Sequence, residues 1–414
     1  MLLIFVTRMK WLTGNIKLFR REVPVPVLLW FVLAAAAAIA EISRGPEAIN
    51  NYEIFTGVFR HSIHLRHLYL PYPAEYVDSN HYGPLFSVLI APFAILPDPI
   101  GCFLWCIANA WILFFAIRQL QMSRLQQNII LLVGLVEMMT AIHNVQFNPM
   151  LTGWIILTYV MVEKEKDFWA CFFIVAGFLV KIYGIAGIAL FWFSRHQVKF
   201  VLSFLFWLIV LFCLPMVLSS PAFVIQSYED WFHSIIEKNA QNVDANDTNL
   251  MQDISVMGMI RRIWNVEQLP NFWITVPAAV CYLLPFLRFK QYKHVLFRIS
   301  YLCLAMIGVV IFSSSAESST FVIAVTAIGI WYVSQDPPYR RWHNALLILV
   351  IVLTCLSATD LFPPYVRDNW IRPYSLKALP CFILWGVLLW QLLFTNFERK
   401  PHTAWSFQVH LFDE

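Results

Sequence analysis

The sequence predicts an all-α, polytopic membrane protein, and three observations carry that prediction. Apolar residues make up 59% of the 414 residues and charged residues only 13%, about half the charged share of an average soluble protein. Mean hydropathy is +0.65. Apolar stretches of about 15 to 22 residues recur along the chain, the length of a helix crossing a hydrocarbon layer roughly 30 Å thick. The short alternating segments of a transmembrane barrel are absent. The chain therefore reads as one integral membrane domain over residues 1–414.

In chain order, residues 1–23 carry Arg8, Lys10, Lys17, Arg20 and Arg21 ahead of an alanine-rich apolar run from Val25 to Ala40. A basic lead before a first span reads as a retained signal anchor with a cytoplasmic N-terminus. The first span, about 25–42, then delivers residues 43–100 to the extracytoplasmic side. Leu85–Leu96, closed by Pro97-Asp98-Pro99, is short for a span. Placing it in the interface lets 101–117 cross inward and puts Arg118 and Arg124 on the cytoplasmic side, as the positive-inside rule prefers. Further spans follow at about 127–142, 149–162, 168–181, 183–194, 200–218, 271–287, 295–312, 321–334, 343–359 and 378–395. That makes about twelve, with 168–194 readable as one bent helix or two short ones. Inside loops then hold Lys164/Lys166, Arg195/Lys199, Arg288/Lys290/Lys293, Arg340/Arg341 and Arg399/Lys400. A second large outside loop, 219–270, starts with an amphipathic pattern (Phe223, Ile225, Tyr228, Trp231, Phe232, Ile235, Ile236) that predicts a helix lying on the membrane surface.

The net charge of +4 is spread over short loops, a poor match to nucleic-acid binding. All eight cysteines fall in apolar spans, where they read as packing residues and not as ligands or disulfide partners. No phosphate-binding glycine loop, dinucleotide fingerprint or nucleophile elbow occurs in a convincing context. The expectation is therefore no metal and no cofactor, with any activated substrate drawn from the bilayer.

Polar residues concentrate in 49–84, INNYEIFTGVFRHSIHLRHLYLPYPAEYVDSNHYGP, with Glu53, Glu75, Asp78, four histidines and five tyrosines. Transfer to an alcohol needs a base for the hydroxyl proton, and Glu53 and Asp78 are the candidates. Asp78, beside His81 and Tyr82, equally suits a turn cap. His61, His64 and His67 recur every three residues, a spacing that drifts around a helix, so hydrogen bonding at the interface suits them better than a metal. Lys181 interrupts an apolar run, where charge is expensive; it suits a lipid phosphate, or it snorkels to the interface. Arg261 and Arg262 suit a phosphate clamp or an interfacial anchor. His143, Asn144, Gln146 and Asn148 form a polar turn whose amides suit sugar hydroxyls.

The segments NNYEIF, HLYLPYP, HYGPLFSVLIAPFAILP, HNVQFNP, AGFLVKIYGIAGIALFW and SVMGMIRR follow one another over residues 50 to 262, with SSSAESSTFVIAV extending the pattern. In that order they resemble the GT-C class of polyprenyl-phosphate-sugar-dependent glycosyltransferases, and within it glycosyltransferase family 87, whose members are mannosyl- and arabinofuranosyltransferase-like. The resemblance implies a GT-C-like fold with a large first extracytoplasmic loop carrying interfacial helices. It implies a polyprenyl-phosphate sugar donor (a hexose such as mannose), a lipid-linked or cell-envelope glycan acceptor, and inverting transfer at the outer face of a bacterial inner membrane. Lys181 matches the lysine after the AG-rich helix and would touch phosphate. The family's aspartate–aromatic pair, the aspartate being its proposed base, falls here on Asn51-Tyr52. Asparagine is no base, which leaves Glu53, Asp78 or a branch without activity. Two other readings are a flippase for a lipid-linked saccharide and a glycan polymerase or ligase with a pyrophosphate-linked donor.

Overall fold

The computed structural model describes residues 14–18, 21–243, 251–266, 269–336 and 338–399. Arg8, Lys10 and Arg20 of the basic lead, and Lys400, lie outside the described residues, as do 244–250 of the second large loop. The chain opens with a short antiparallel hairpin, β1 (Asn15–Leu18) and β2 (Arg21–Pro24). The hydropathy pattern gave no hint of it. Helices follow: α1 (Val25–Ser43), α2 (Asn50–Ile63), α3 (Phe86–Ala94), α4 (Asp98–Gln119), α5 (Arg124–His143), α6 (Asn148–Glu163) and α7 (Asp167–Val180). A 3₁₀ segment spans Ile182–Phe193. Beyond it come α8 (Gln197–Cys213), α9 (Pro221–Val243), α10 (Val256–Trp264), α11 (Phe272–Leu283), α12 (Val295–Ile311), α13 (Phe321–Val333), α14 (Arg341–Leu349) and α15 (Leu379–Phe394).

Every apolar stretch assigned as a span is helical, and among the described residues six helices are long and apolar enough to cross a membrane: 25–43, 98–119, 124–143, 197–217, 341–358 and 376–394. The protein is a multi-pass membrane protein. Local signals set its helix ends. Ser123 and Gln126 form a capping box that starts α5, satisfying donors the first turn leaves open. Pro97 precedes α4 and Pro149 sits in the first turn of α6, where a missing N–H is tolerated. α3 has nine residues, roughly 14 Å of helix, and is too short to cross. α13, buried along its whole length, and α12 form the centre of the bundle. On the 197–217 helix Val198, Leu202, Ile209 and Val217 are exposed, the surface a lipid-facing helix presents.

The two ends of the bundle differ. At one end ion pairs join helix ends and loops, Arg298 of α12 to Glu163 at the end of α6 and Arg195 to Glu165. At the other end several polar segments bond to one another. Asn51 donates to the Asn144 carbonyl, Trp231 to the His81 carbonyl, Asn242 to the Ser314 carbonyl and Arg262 to Ser375.

The segment 168–194 is two elements broken at Lys181, whose backbone is extended (φ −150°, ψ 125°). The 3₁₀ segment folds back on α7 so closely that a Cβ on Gly184 would sit 2.3 Å from the Gly177 carbonyl carbon. Lys181 is thus the apex of a tight hairpin. Gly83 docks on the same apex: its N–H donates to the Val180 carbonyl at 3.0 Å, and a Cβ there would lie 2.0 Å from the Leu179 oxygen. The Tyr-Gly-Pro sequence is therefore needed for backbone approach. Gly83→Ala is expected to lower stability by about 1–3 kcal/mol, the range for forced overpacking, visible as a lower melting temperature in detergent.

Candidate functional site

The loop between α1 and α3 builds the site from the Lys181 apex outward. Asn80 pins the loop by accepting from the Tyr82 N–H and donating to the Tyr82 carbonyl. The Tyr82 ring packs on Phe55 and Phe86, its hydroxyl donates to Gln146 at 2.8 Å, and its face lies 5.3 Å from Lys181 Nζ. Tyr183 lies on the other side of the ammonium, 5.4 Å away, and its hydroxyl is 3.0 Å from Ser313 Oγ. Lys181 Nζ donates to Asn148 Oδ1 at 2.9 Å. Asn148, fully buried at the start of α6, is also 3.5 Å from Ser319 Oγ. Among the described residues no carboxylate pairs with Lys181. At the apex, outside the helices it joins, burial lowers its pKa to about 8 while the Glu317 charge acts in the opposite direction.

These groups wall a cavity of about 660 Å³ that also takes in Asn51, Asp78, His81 and Glu317. α9 roofs it, presenting Trp231, Ile235, Lys238 and Asn242 at the three- and four-residue spacing of one helical face. Lys238, like Lys181, has no ion-pair partner among the described residues, so both ammonium groups reach the cavity without a direct carboxylate contact there, with Asp78 and Glu317 elsewhere on its wall. His81 Nδ1 sits 3.0 Å from Ser234 Oγ. Burial, helped by Lys238, lowers the His81 pKa to about 4. The ring is neutral near pH 7 and serves as a hydrogen-bonding group.

The cavity continues. Gly308, Val309 and Phe312 border it and also border an almost wholly apolar groove, again about 660 Å³, between the 3₁₀ segment, α8, α11 and α12. On another side it meets a cavity of about 710 Å³ between α1, α5 and residues 356–377, and Gln252 and Glu317 stand on the wall shared by the two.

The sequence-derived candidates divide. Asn51, Asp78, His81, Tyr82 and Lys181 line the polar cavity, and Asn148 supports Lys181 from behind. Glu53 lines a separate cleft with Arg60, His61, Glu75 and Asp98. Two helical steps turn a side chain about 200°, so Glu53 points away from the face that carries Asn51. Burial raises its pKa, with Asp98 adding to the shift. Tyr52 is wholly buried and donates to the Phe93 carbonyl, fastening α2 to α3. Asp78 is exposed, and one of its oxygens accepts from the Ser79 N–H in its own turn. His143 faces the third cavity and pairs with Glu41 at 2.7 Å. Arg261 and Arg262 line neither the polar cavity nor the third one. Arg261 pairs with buried Asp253, and Arg262 bonds Ser375 and the Gln252 carbonyl. The three evenly spaced histidines do not converge, since His61 pairs with Glu75 and His67 with Asp230.

Sequence reasoning missed Lys238, Gln252 and Glu317. Lys238 carried a signal, lying on the amphipathic face begun by Trp231 and Ile235. Glu317 lay in a serine-rich stretch with no local sign of its partners.

No curated protein matches the chain. Among solved structures, a similar chain is ArnT from Cupriavidus metallidurans bound to undecaprenyl phosphate. It is 14% identical, with 89% of this chain and 76% of that chain covered and a TM-score of 0.37. The family model for glycosyltransferase family 87 matches residues 80–314, more than half of the chain. The chain belongs to glycosyltransferase family 87.

Proposed function

We propose that this glycosyltransferase takes its sugar from a polyprenyl monophosphate and passes it to a hydroxyl of a lipid-linked or cell-envelope glycan at the outer face of a bacterial inner membrane. One observation carries the reading: a polar cavity lined by two lysines that have no ion-pair partner among the described residues adjoins an apolar groove at Gly308, Val309 and Phe312. An anionic head joined to a long apolar tail is the ligand chemistry that satisfies both ends. The prenyl tail lies against Ile188, Trp192 and Leu205, the phosphate between Lys181 and Lys238, and the sugar beside His81, Asn239 and Asn242.

Transfer forms a bond between the acceptor oxygen and the anomeric carbon and breaks the bond from that carbon to the phosphate oxygen. The electron pair leaves with the phosphate, whose second negative charge develops as the bond breaks. Fixed ammonium groups placed where that charge appears lower the barrier, so the chemistry demands no metal. Attack from the side opposite the phosphate inverts the anomeric centre. Asp78 and Glu317 are the carboxylates on the cavity wall; Glu53 is on neither side of it.

The test is transfer from a panel of radiolabelled polyprenyl-phosphate sugars, mannose included, in membranes containing the protein. Wild type is expected to transfer at least one. Glu53→Gln is expected to stay within about threefold of wild type, well short of the roughly 100-fold or larger loss that removing a general base produces. Transfer from pyrophosphate-linked donors alone sinks the monophosphate reading. Loss of transfer in Glu53→Gln with Asp78→Asn and Glu317→Gln unaffected moves the chemistry to the other cleft.

A further inference from the structure

The reading above leaves open where the acceptor enters and which group takes its proton. Three features bear on this, and all of them meet at Glu317. It stands on the wall between the donor cavity and the cavity of about 710 Å³ behind it. It is held from both sides, with Gln252 Nε2 donating to Oε1 at 3.2 Å and Ser319 Oγ lying 3.5 Å from Oε2. Ser319 is in turn linked to Asn148, which holds Lys181. One chain of contacts therefore fixes the carboxylate relative to the cation that faces the leaving phosphate. Beside it the Gln252 side-chain oxygen is buried with no hydrogen-bond partner among the described residues, an acceptor waiting for a donor such as a hydroxyl.

The second cavity has the character of an amphiphile's site. Ala36, Ala40 and Met139 line one side of it and His143, Asp360 and Arg372 another. We infer that it receives the acceptor, a sugar hydroxyl carried on a membrane amphiphile, and that Glu317 removes the hydroxyl proton as the oxygen attacks across the shared wall. The proton passes to the Glu317 carboxylate, the oxygen bonds to the anomeric carbon, and the phosphate leaves with the electron pair toward Lys181. Asp78 does not take this role: it is exposed and spends an oxygen on its own turn. Glu317 also caps the short 3₁₀ turn Ser318–Thr320 that leads into α13, so the test separates capping from catalysis.

This inference rests on the lipid-phosphate donor, and the experiment tells the two apart. Purified protein is assayed with polyprenyl-phosphate mannose and the other sugars of the panel as donor and an alkyl mannoside as acceptor probe, alongside equilibrium binding of polyprenyl phosphate. Glu317→Gln keeps an oxygen for the cap. It is expected to retain the wild-type melting temperature and polyprenyl-phosphate affinity, with kcat lower by about 100- to 10,000-fold, the range for loss of a general base. Ala40→Trp, which fills the second cavity, is expected to raise the KM for the alkyl mannoside at least about tenfold, the effect of roughly 1.4 kcal/mol, with lipid-phosphate binding unchanged. Glu317→Gln with kcat within about threefold of wild type, well inside that range, or Asp78→Asn as the variant that loses turnover, overturns the base assignment. An unchanged acceptor KM in Ala40→Trp overturns the acceptor route. Wild type that neither binds polyprenyl phosphate nor transfers any sugar of the panel overturns the donor reading and this inference with it.

Discussion

Replacing Lys181 by alanine is expected to lower kcat/KM for a polyprenyl-phosphate sugar by about 100- to 1,000-fold, the range for removing one preorganised donor from a site of developing negative charge. The expectation comes from what surrounds the ammonium. It is held by Asn148 and lies near two aromatic rings, with no carboxylate paired to it among the described residues, so its charge remains available to a ligand. The same burial gives a pH signature. With a pKa lowered to about 8, Lys181 is charged below pH 8 and neutral above it. Donor kcat/KM in wild type therefore falls as pH rises through about 8. A bound phosphate favours the charged form, so the limb in kcat moves to higher pH. Lys181→Arg keeps its charge throughout and is expected to lose the alkaline limb, whatever its absolute rate. A wild-type profile flat to pH 10, or a Lys181→Ala variant within about threefold of wild type, removes Lys181 from phosphate binding.

Lys181 was legible in the sequence because a charge inside an apolar run needs a reason. The fold class was legible on similar grounds, since span length and hydropathy are set by the bilayer itself. The prolines at 97 and 99 and the shortness of the apolar stretch Leu85–Leu96 gave away that α3 does not cross. The site was legible only where it is local. Tyr82 and His81 belong to a polar loop that reads as one unit, and both line the cavity.

Glu53 shows what a local reading leaves out: it lines a different cleft from Asn51. Along the chain it lies two residues from Asn51, where the resemblance expects a carboxylate, but on a helix two residues is the opposite face. Arg261 and Arg262 read as a phosphate clamp or an interfacial anchor because Asp253, eight residues before Arg261, had not been set against them; folding pairs it with Arg261. Glu317 is the furthest from view. Its wall is assembled from Gln252, 65 residues earlier, and from a contact between Ser319 and Asn148 spanning 171 residues. No spacing rule reaches that far.

Lys377 supplies the second large effect, on stability. A saccharide flippase would need polar residues at several mid-span positions, and Glu137 lies within the stretch 127–142 assigned as a span. In the fold both its oxygens accept from Lys377 Nζ, at 2.9 and 3.2 Å, and both residues are buried. The Lys377 ammonium also lies 5.1 Å from the Phe321 ring centre, and its carbonyl accepts from Thr354. The pair thus ties α5 to the segment ahead of α15 and leaves neither of its own charges unpaired. Removing one partner strands the other without solvent, which destabilises by about 3–5 kcal/mol, a large part of a typical folding free energy of about 5–15 kcal/mol. Lys377→Met and Glu137→Gln are each expected to depress the melting temperature in detergent sharply. The double variant Glu137→Leu/Lys377→Met is expected to recover most of the loss, because a well-packed apolar pair replaces a buried ion pair at little net cost. Single variants with wild-type melting temperatures mean that the ion pair does not hold these segments together. Single variants that stay stable but move lipid-linked saccharide across proteoliposomes at altered rates return the protein to the transport reading.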